Sequence, residues 1–318
     1  MSKKLNANQW SQYWSKGSLT TFVGNFDRGY DGDLKNFWIS IFERFVVDER
    51  VLDLGTGNGA LIELIATFAE DTRKTFMVTG LDYADIEHLK DKTYSRISTK
   101  FYPNTCIENT GLEANSYDHI ISQFGFEYSD LEKSIPEIAR ILRSKGTLTL
   151  VMHSLDSSLI SESAEHLKQV NYCLDSKSIE CSKELLPIIE RIKSNQRVDA
   201  KDRELAEQLR TNLNSKISDI LEYANKFKDQ EFFREFVDQL SKAFRLEGKD
   251  KYSLLDTLKD TSIQYALRMQ DMQSACMTNE RLELLSSLFE EHFIQVKKQE
   301  KFFYKKKCYG LALQAIKK

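Results

Sequence analysis

Apolar positions follow two different periods between residues 46 and 154. Short apolar runs of strand length alternate there with segments in which apolar residues recur every three or four positions. The runs predict strands, and the segments between them predict helices, for example at residues 59–68 and 131–142. The predicted strands cover residues 51–54, 75–81, 99–102, 117–122 and 146–153. Alternation of this kind predicts an α/β fold with a doubly wound, mostly parallel Rossmann-like sheet.

The pattern becomes helical after residue 154. The 136 residues at positions 155–290 contain one glycine and one proline, so we expect a large all-helical insertion. Strand character returns at residues 293–298 and 305–316, which predicts an antiparallel closing strand. We therefore divide the chain into an aromatic-rich N-terminal lid (1–45), a Rossmann-like core (46–154 and 286–318) and the insertion (155–285). The insertion is either a bundle that packs on itself or a cap over the ligand cleft.

Composition narrows the setting of the protein. The chain has 318 residues, a formal net charge of -3 and 41% hydrophobic residues, which is ordinary for a globular protein. This charge gives no general reason to expect nucleic acid as a partner, and no apolar stretch reaches the length of a membrane span. Five cysteines without a CxxC pair and histidines without metal-ligand spacing predict neither a disulfide framework nor a metal site. We expect a cytoplasmic protein without an export signal.

Lysine is concentrated at the C-terminal end, where it accounts for eight of the last 22 residues. Such a cluster suits a phosphate-binding edge, but these lysines are not interleaved with a reading motif. We therefore interpret them as the charges of a solvated hairpin and of an edge strand that lysine protects from pairing.

The turn that follows the first predicted strand carries the strongest candidate chemistry. Asp53 precedes Gly55, Thr56 and Gly57, and the glycines let a ligand approach the backbone closely. The spacing also satisfies the dinucleotide pattern G-x-G-x-x-G/A, so a nicotinamide oxidoreductase is an alternative. Asp53 would repel a pyrophosphate, however, whereas its carboxylate can accept hydrogen bonds from a ligand ammonium or from the turn amides.

A second acidic residue, Asp82, ends the next strand, where it can accept from two ribose hydroxyls, and Tyr83 offers a ring face to an adenine. With these residues the sequence resembles the class I S-adenosylmethionine-dependent methyltransferases. Residues 53–59 look like their motif D-x-G-x-G-x-G, and residues 138–146 look like their approach to the fifth strand. The resemblance covers about residues 46–154 and the closing strands near 293–316. It implies S-adenosyl-L-methionine as cofactor and S-adenosyl-L-homocysteine as product.

The resemblance also implies where the adenine and the methyl donor would lie. Many members of that family contact the adenine amino group with an acid, but this position is Cys106 here, followed by Ile107 and Glu108. Either the backbone around Cys106 and Ile107 reads the adenine, or Glu108 substitutes after a local shift. Gln123 and Phe124, at the end of the fourth strand, fall on the region that lines the methyl-donor pocket in the family.

Candidates for the acceptor side follow from the ends of the fourth and fifth strands. Glu127 or Tyr128 can face the acceptor, although Glu127 also suits a loop or the start of a helix. His153 is a candidate general base because an imidazole titrates near neutrality, and the alternative is a structural histidine at a strand end. Trp14 and Tyr30 are the preferred rings of a lid that excludes water, and the alternative is an N-terminal helix packed on the sheet.

These observations predict methyl transfer by in-line displacement to an oxygen or nitrogen atom of a small or medium-sized acceptor. Since the donor methyl group is already strongly electrophilic, the protein mainly has to align the nucleophile and exclude water. The alternatives are an RNA methyltransferase and a nucleotide-fold scaffold protein without turnover.

Overall fold

One mixed sheet organises the part of the chain that carries the candidate chemistry. The computed structural model describes residues 5–17, 19, 29–194 and 199–318, and among these residues seven strands form a single sheet. The strands are β1 (Arg50–Leu54), β2 (Phe76–Leu81), β3 (Ile97–Tyr102), β4 (Tyr117–Gln123), β5 (Leu142–Met152), β6 (Ile294–Tyr304) and β7 (Lys307–Lys317). Their order across the sheet is β3-β2-β1-β4-β5-β7-β6.

The direction of the strands confirms the predicted fold class. β1 to β5 pair in parallel, whereas β7 runs antiparallel to both β5 and β6. The strand order reverses between β1 and β4, because the chain first builds outward to β3 and then returns to the other side of β1. Open α/β sheets form a crevice for ligands at such a point, outside the carboxyl ends of the strands.

Ten α-helices lie among the described residues. They are α1 (Ala7–Trp14), α2 (Gly32–Phe42), α3 (Ala60–Thr72), α4 (Leu131–Ile141), α5 (Ser158–Asp175), α6 (Ser178–Lys193), α7 (Ala200–Ala224), α8 (Glu231–Ala243), α9 (Asp250–Ala275) and α10 (Asn279–Glu291). Two short 3-10 turns, Glu87–Asp91 and Phe126–Tyr128, complete the elements. The run from α5 to α10 confirms the predicted helical insertion between β5 and β6.

The described chain forms two compact units. One contains the sheet and comprises the described residues up to Ser161 together with Asp271–Lys318, and the other comprises the described part of Glu162–Gln270. The second unit has its own apolar core, in which Phe233, Phe236 and Leu240 of α8 are fully buried. These three residues are spaced three and four positions apart, so they share one face of α8, and this face is buried in the core.

The sheet is buried on both faces. Val51 belongs to an apolar cluster with Trp38 and Phe42 of α2, whereas Leu52 belongs to a cluster with Ile138 of α4. Neighbouring residues of a strand point to opposite faces, so these are the two sides of the sheet. Burial on both faces accounts for the continuous apolar runs in the sequence.

The N-terminal region contains the helix α1, and an N-terminal helix is the alternative that the sequence leaves open beside a lid. In α1 the side chain of Asn6 accepts from the backbone N–H of Gln9 at 3.0 Å, and the Gln9 side chain accepts from the backbone N–H of Asn6 at 3.1 Å. This reciprocal arrangement is a capping box, which stabilises the first turn. Residues 1–4, 18 and 20–28 of the predicted lid lie outside the described residues.

Two details differ from the sequence expectations. β5 begins at Leu142 rather than at residue 146, and its pairing with β4 shifts in register opposite Tyr117 and His119. The C-terminal lysines are mostly exposed, but the Nζ atom of Lys317 donates to the carbonyl oxygens of Ala139 and Leu142, each at 2.7 Å. Lys317 is therefore not a solvated charge, and burial lowers its pKa.

Candidate active site

A cavity of about 570 Å³ opens at the carboxyl ends of the parallel strands. The register of the sheet sets Leu54, the last residue of β1, beside Leu81, the last residue of β2. The loops that follow β1, β2 and β4 therefore meet at one edge. The described residues that line the cavity are Leu5, Asn6, Trp10, Trp14, Gly55, Leu81, Asp82, Tyr83, Thr105, Cys106, Ile107, Glu108, Phe124, Gly125, Tyr128, Ser129, Asp130, Lys133 and Asp271.

Two glycines allow the loops to approach closely. Gly55 has a positive φ of 68°, and a Cβ atom there would lie 2.9 Å from the Cα atom of Gly125. At Gly57, where φ is 52°, a Cβ atom would lie 2.6 Å from the indole of Trp14. The loop after β4 thus packs against the turn at Gly55, and Trp14 of α1 packs against it at Gly57. Neither contact leaves room for a side chain.

Two buried carboxyl groups lie beside this turn. Asp82 accepts from the backbone N–H of Gly57 at 2.7 Å and from that of Ala84 at 2.8 Å, so both of its oxygens are held by the backbone. Asp53 is only 2% exposed and accepts from the Thr56 hydroxyl at 2.6 Å. Each oxygen of a carboxylate has more than one lone pair, so these contacts leave acceptor capacity for a ligand.

Burial dominates the ionisation of this pair. It raises the pKa of Asp53 to about 7, although the Thr56 hydrogen bond acts in the opposite direction and the charge of Asp82 adds to the increase. Burial also raises the pKa of Asp82 to about 6, against the two backbone hydrogen bonds that favour its charged form. A cationic ligand in the cavity would stabilise both carboxylates in their charged forms.

The predicted adenine side lies on the cavity wall. Cys106, Ile107 and Glu108 all line the cavity, as does Tyr83, a residue that is 48% exposed. The Glu108 side chain accepts from the backbone N–H of Asp130 at 2.8 Å, so one of its oxygens already has a partner. Either the backbone around Cys106 and Ile107 or the second oxygen of Glu108 could therefore contact an adenine in this arrangement.

Aromatic rings form the part of the cavity next to β4 and β5. Phe124 has a positive φ of 54° and stacks on His153, with the ring centroids 4.3 Å apart. Tyr128 meets His153 edge-on at 6.2 Å and meets Trp10 of α1 edge-on at 5.6 Å. Phe124, Tyr128 and Trp10 line the cavity. His153 is not among the described lining residues and lies behind these rings.

The environment of His153 does not suit the predicted general base. Its side chain is 2% exposed, and burial lowers its pKa to about 3, which makes it a weak base at neutral pH. Its Nδ1 atom is buried without a hydrogen-bond partner among the described residues. Its backbone N–H donates to the Glu127 side chain at 2.8 Å. The structure thus makes His153 a support for Phe124 and Tyr128.

Glu127 is also placed behind the cavity wall. It is 1% exposed, and its Oε2 atom has no hydrogen-bond partner in the described part of the chain. Burial raises its pKa to about 7, while the His153 N–H and the charge of Arg281 act in the opposite direction. Arg281 itself donates to the backbone carbonyl of Glu127 at 2.7 Å. Glu127 therefore reaches an acceptor only through its influence on neighbouring groups.

The other predicted residues fall into two groups. Trp14 lines the cavity, whereas Asp53, Thr56 and Gly57 are outside its described lining. Thr56 and Gly57 donate hydrogen bonds to Asp53 and Asp82, respectively. The Gln123 side chain instead accepts from the indole N–H of Trp38 at 2.6 Å, away from the cavity lining. The partly buried ring of Tyr30 packs against the apolar cluster of α2 and α3, and burial followed by the charge of Asp53 raises its pKa.

Several lining residues were missed by the sequence reasoning. Trp10 lies one helical turn before Trp14, and the capping box at Asn6 was a readable signal for the helix that presents both rings. Asp130 and Lys133 line the wall and form a 2.7 Å ion pair at the start of α4. Asp271, near the end of α9, comes from a region with no motif, so nothing local distinguished it from the other acidic residues of that helix.

Within the described ranges, no group of three or more His, Cys, Asp or Glu side chains could hold a metal ion. Every helix in those ranges is too short or too polar to cross a membrane.

Comparison with known families places this site in a class. Residues 52–150 match the model of a family described as a methyltransferase domain. This range runs from β1 into β5 and carries both Asp53 and Asp82. The region is therefore a class I, S-adenosylmethionine-dependent methyltransferase domain, as the motifs predicted, and S-adenosyl-L-methionine is the cofactor of that class. No curated protein matches the chain significantly.

Solved structures give more distant similarities. The YcgJ protein from Bacillus subtilis is 20% identical, with 43% of this chain and 57% of that chain covered and a TM-score of 0.32. A geranyl diphosphate methyltransferase in complex with GPP and sinefungin is 15% identical, with 42% and 52% covered and a TM-score of 0.32. A Galdieria sulphuraria protein described provisionally as a sarcosine dimethylglycine methyltransferase is 15% identical, with 98% of each chain covered and a TM-score of 0.39. The aligned part of this chain spans between half and two thirds of the length of the first two proteins, and no substrate is carried over from any of the three.

Proposed function

We propose that the protein transfers the methyl group of S-adenosyl-L-methionine to an oxygen or nitrogen atom of a small or medium-sized acceptor. The observation that carries this proposal is the cavity at the carboxyl edge of β1, β2 and β4, with Asp82 and Gly55 on its wall and the buried Asp53 near the end of β1. Its volume of about 570 Å³ lies within the usual range of small-molecule sites.

The residues on the wall fit the chemical groups of this cofactor. Asp82 would accept from the ribose hydroxyls with its remaining lone pairs, and Tyr83 and Ile107 would pack on the adenine. Asp53 would attract the ammonium group of the methionine part. The crowded glycine turn supports the fit, because a Cβ atom at Gly55 would both clash and narrow the approach to the backbone.

The bound cofactor supplies an electrophilic methyl group on a sulfonium. The protein then has to align the acceptor and exclude water. Trp10 and Trp14 of α1 would limit solvent access from one side, since both rings line the cavity. Tyr128 and Asp271 would contact the acceptor, while His153 would position Phe124 and Tyr128 from behind. A role of the helical unit as a cap that selects the acceptor stays a prediction.

A labelling experiment tests the proposal. The full chain is incubated with methyl-labelled S-adenosyl-L-methionine and cell extract, and the products are separated by mass. We expect label in a small molecule with the native chain and with Asp91→Ala, which changes an exposed carboxylate of the 3-10 turn. We expect no label with Asp82→Ala. Absence of cofactor binding by the native chain would refute the proposal, and label in nuclease-sensitive RNA would favour an RNA methyltransferase.

A further inference from the structure

Acidic side chains outnumber basic ones on the described cavity wall. Among the described lining residues, the carboxylates are Asp82, Glu108, Asp130 and Asp271, and the only amine is Lys133. Lys133 is paired with Asp130, and Asp82 is held by two backbone amides at the cofactor side. Acidic groups therefore outnumber basic ones among the lining residues that the structure describes. An anionic acceptor would meet repulsion there.

Part of this negative charge surrounds Tyr128. After burial, the charges of Glu127 and Asp271 are the largest causes that raise the pKa of the Tyr128 hydroxyl well above its usual range. Asp271 is 2% exposed and lines the cavity, so its carboxyl group lies at the wall in a region largely shielded from solvent. In such a region the attraction between unlike charges is stronger than in water.

The same region is lined by aromatic rings. Trp10 and Tyr128 meet edge-on with an interplanar angle of 87°, and Phe124 stacks on His153 next to Tyr128. The face of an aromatic ring attracts a cation, and this attraction grows when water is excluded. Rings and a carboxylate on one wall together form a site for an ammonium group.

A buried acid behind the rings would also respond to a cation in the cavity. The Oε2 atom of Glu127 has no hydrogen-bond partner among the described residues, although the residue is almost completely buried. Arg281 does not fill this position, since its hydrogen bond is to the Glu127 carbonyl oxygen. The charge of Arg281 already favours the ionised form of this carboxyl group, and a bound cation would act in the same direction.

We propose that the acceptor of the methyl group is an amine that enters the cavity as an ammonium ion and binds against Trp10, Tyr128 and Asp271. This inference rests on the proposed methyl transfer. The Asp271 carboxylate takes one proton from R–NH₃⁺, which frees the nitrogen lone pair. That pair forms the N–CH₃ bond while the pair of the S–CH₃ bond returns to sulfur. The products are R–NH₂CH₃⁺, S-adenosyl-L-homocysteine and the proton, which leaves Asp271 for solvent.

Calorimetry on the full chain tests the proposal with probes of one shape and different charge. Benzylammonium, benzyl alcohol and benzoate are titrated separately into protein saturated with S-adenosyl-L-homocysteine. We expect benzylammonium to bind at least tenfold more tightly than either other probe. In Asp271→Asn this preference should fall below threefold while the affinity for S-adenosyl-L-homocysteine stays unchanged, and Asp271→Glu should restore part of it. The control Glu283→Gln removes an exposed carboxylate of α10 and should behave like the native chain.

The outcomes separate this proposal from the one on which it rests. If S-adenosyl-L-homocysteine and S-adenosyl-L-methionine do not bind to the native chain, methyl transfer itself is refuted, and amine selection with it. If they bind but benzoate or benzyl alcohol binds as tightly as benzylammonium, or if no probe binds, amine selection alone is refuted. An unchanged preference in Asp271→Asn would also refute the assigned contact.

Discussion

The proposed cofactor side of the cavity, at the turn after β1, and the proposed acceptor side, at Tyr128 and Asp271, differ in how their neighbouring buried acids are hydrogen-bonded. At the cofactor side, Asp82 is held by two backbone N–H groups and Asp53 by the Thr56 hydroxyl. At the acceptor side, Glu127 Oε2 and His153 Nδ1 are buried without hydrogen-bond partners among the described residues. Unmatched buried polar atoms are rare and often mark a functional site. The difference suggests that the loop after β1 is organised before a ligand binds, whereas the residues behind Phe124 and Tyr128 are less fully hydrogen-bonded.

The substitution with the largest expected effect is Asp82→Ala. The substitution removes the acceptor of the Gly57 and Ala84 N–H groups and also the proposed partner of two ribose hydroxyls. Hydrogen bonds to a charged group contribute about 1.5–3 kcal/mol each, so we expect S-adenosyl-L-methionine affinity to fall by at least several hundredfold, or about 3–4 kcal/mol. Titration calorimetry measures it, with Asp91→Ala as the matched control. An affinity within threefold of native would remove Asp82 from the site.

Glu127→Gln tests the acceptor side through stability. The pKa of Glu127 is raised from 4.5 to about 7, so the folded state holds this proton more tightly than the unfolded chain does. The native chain therefore loses stability as pH rises from about 4.5 to 7, by about 3 kcal/mol at most, and does not regain it above pH 7. Glutamine can still accept from the His153 N–H but does not ionise.

The stability of Glu127→Gln relative to the native chain should accordingly increase between pH 5 and pH 8, measured by urea unfolding at each pH. The difference between the two proteins cancels the effects of Asp53 and Asp82, which have the same sign, and of His153, which has the opposite sign because its pKa is lowered. A difference that is constant across this range would show that Glu127 is already ionised in the folded protein at pH 5.

The two tryptophans of α1 allow the two sides to be compared within one helix. Trp14 lies against Gly57, and Trp10 lies against Tyr128. We expect Trp14→Ala to weaken S-adenosyl-L-methionine binding by about tenfold, which corresponds to about 1–2 kcal/mol of lost packing. The same substitution should weaken the binding of benzylammonium less. Trp10→Ala should show the reverse order. Equal effects of both substitutions on both ligands would mean that α1 acts as one unit without a separate role for each ring.

The sequence predicts the proposed cofactor side better because the residues of that side lie close together in the chain. Gly55, Gly57 and Asp53 lie within five residues, and their types follow from a turn that must be tight and carry a charge. Asp82 adds a second strand end at the same edge of a parallel sheet. In contrast, the acceptor side combines Tyr128 with Asp271, which has no nearby motif, and with Trp10 from a helix whose capping box was overlooked. Strand β5 was placed four residues late because its pairing with β4 shifts in register there.

The smallest expected effect concerns His153, where sequence and structure suggest different roles. His153→Phe keeps a ring that can stack on Phe124 but has no proton to exchange. Because burial lowers the pKa of His153 to about 3, we expect this variant to change kcat by less than threefold, with the same pH profile between pH 6 and 9. His153→Ala should instead lower the free energy of unfolding by about 2–3 kcal/mol, since it removes the buried ring. If His153 is a general base, both variants should lose about 100-fold or more in kcat and the acidic limb of the profile should disappear. The phenylalanine variant decides between these roles, because it removes the imidazole nitrogens while it retains the support behind Phe124 and Tyr128.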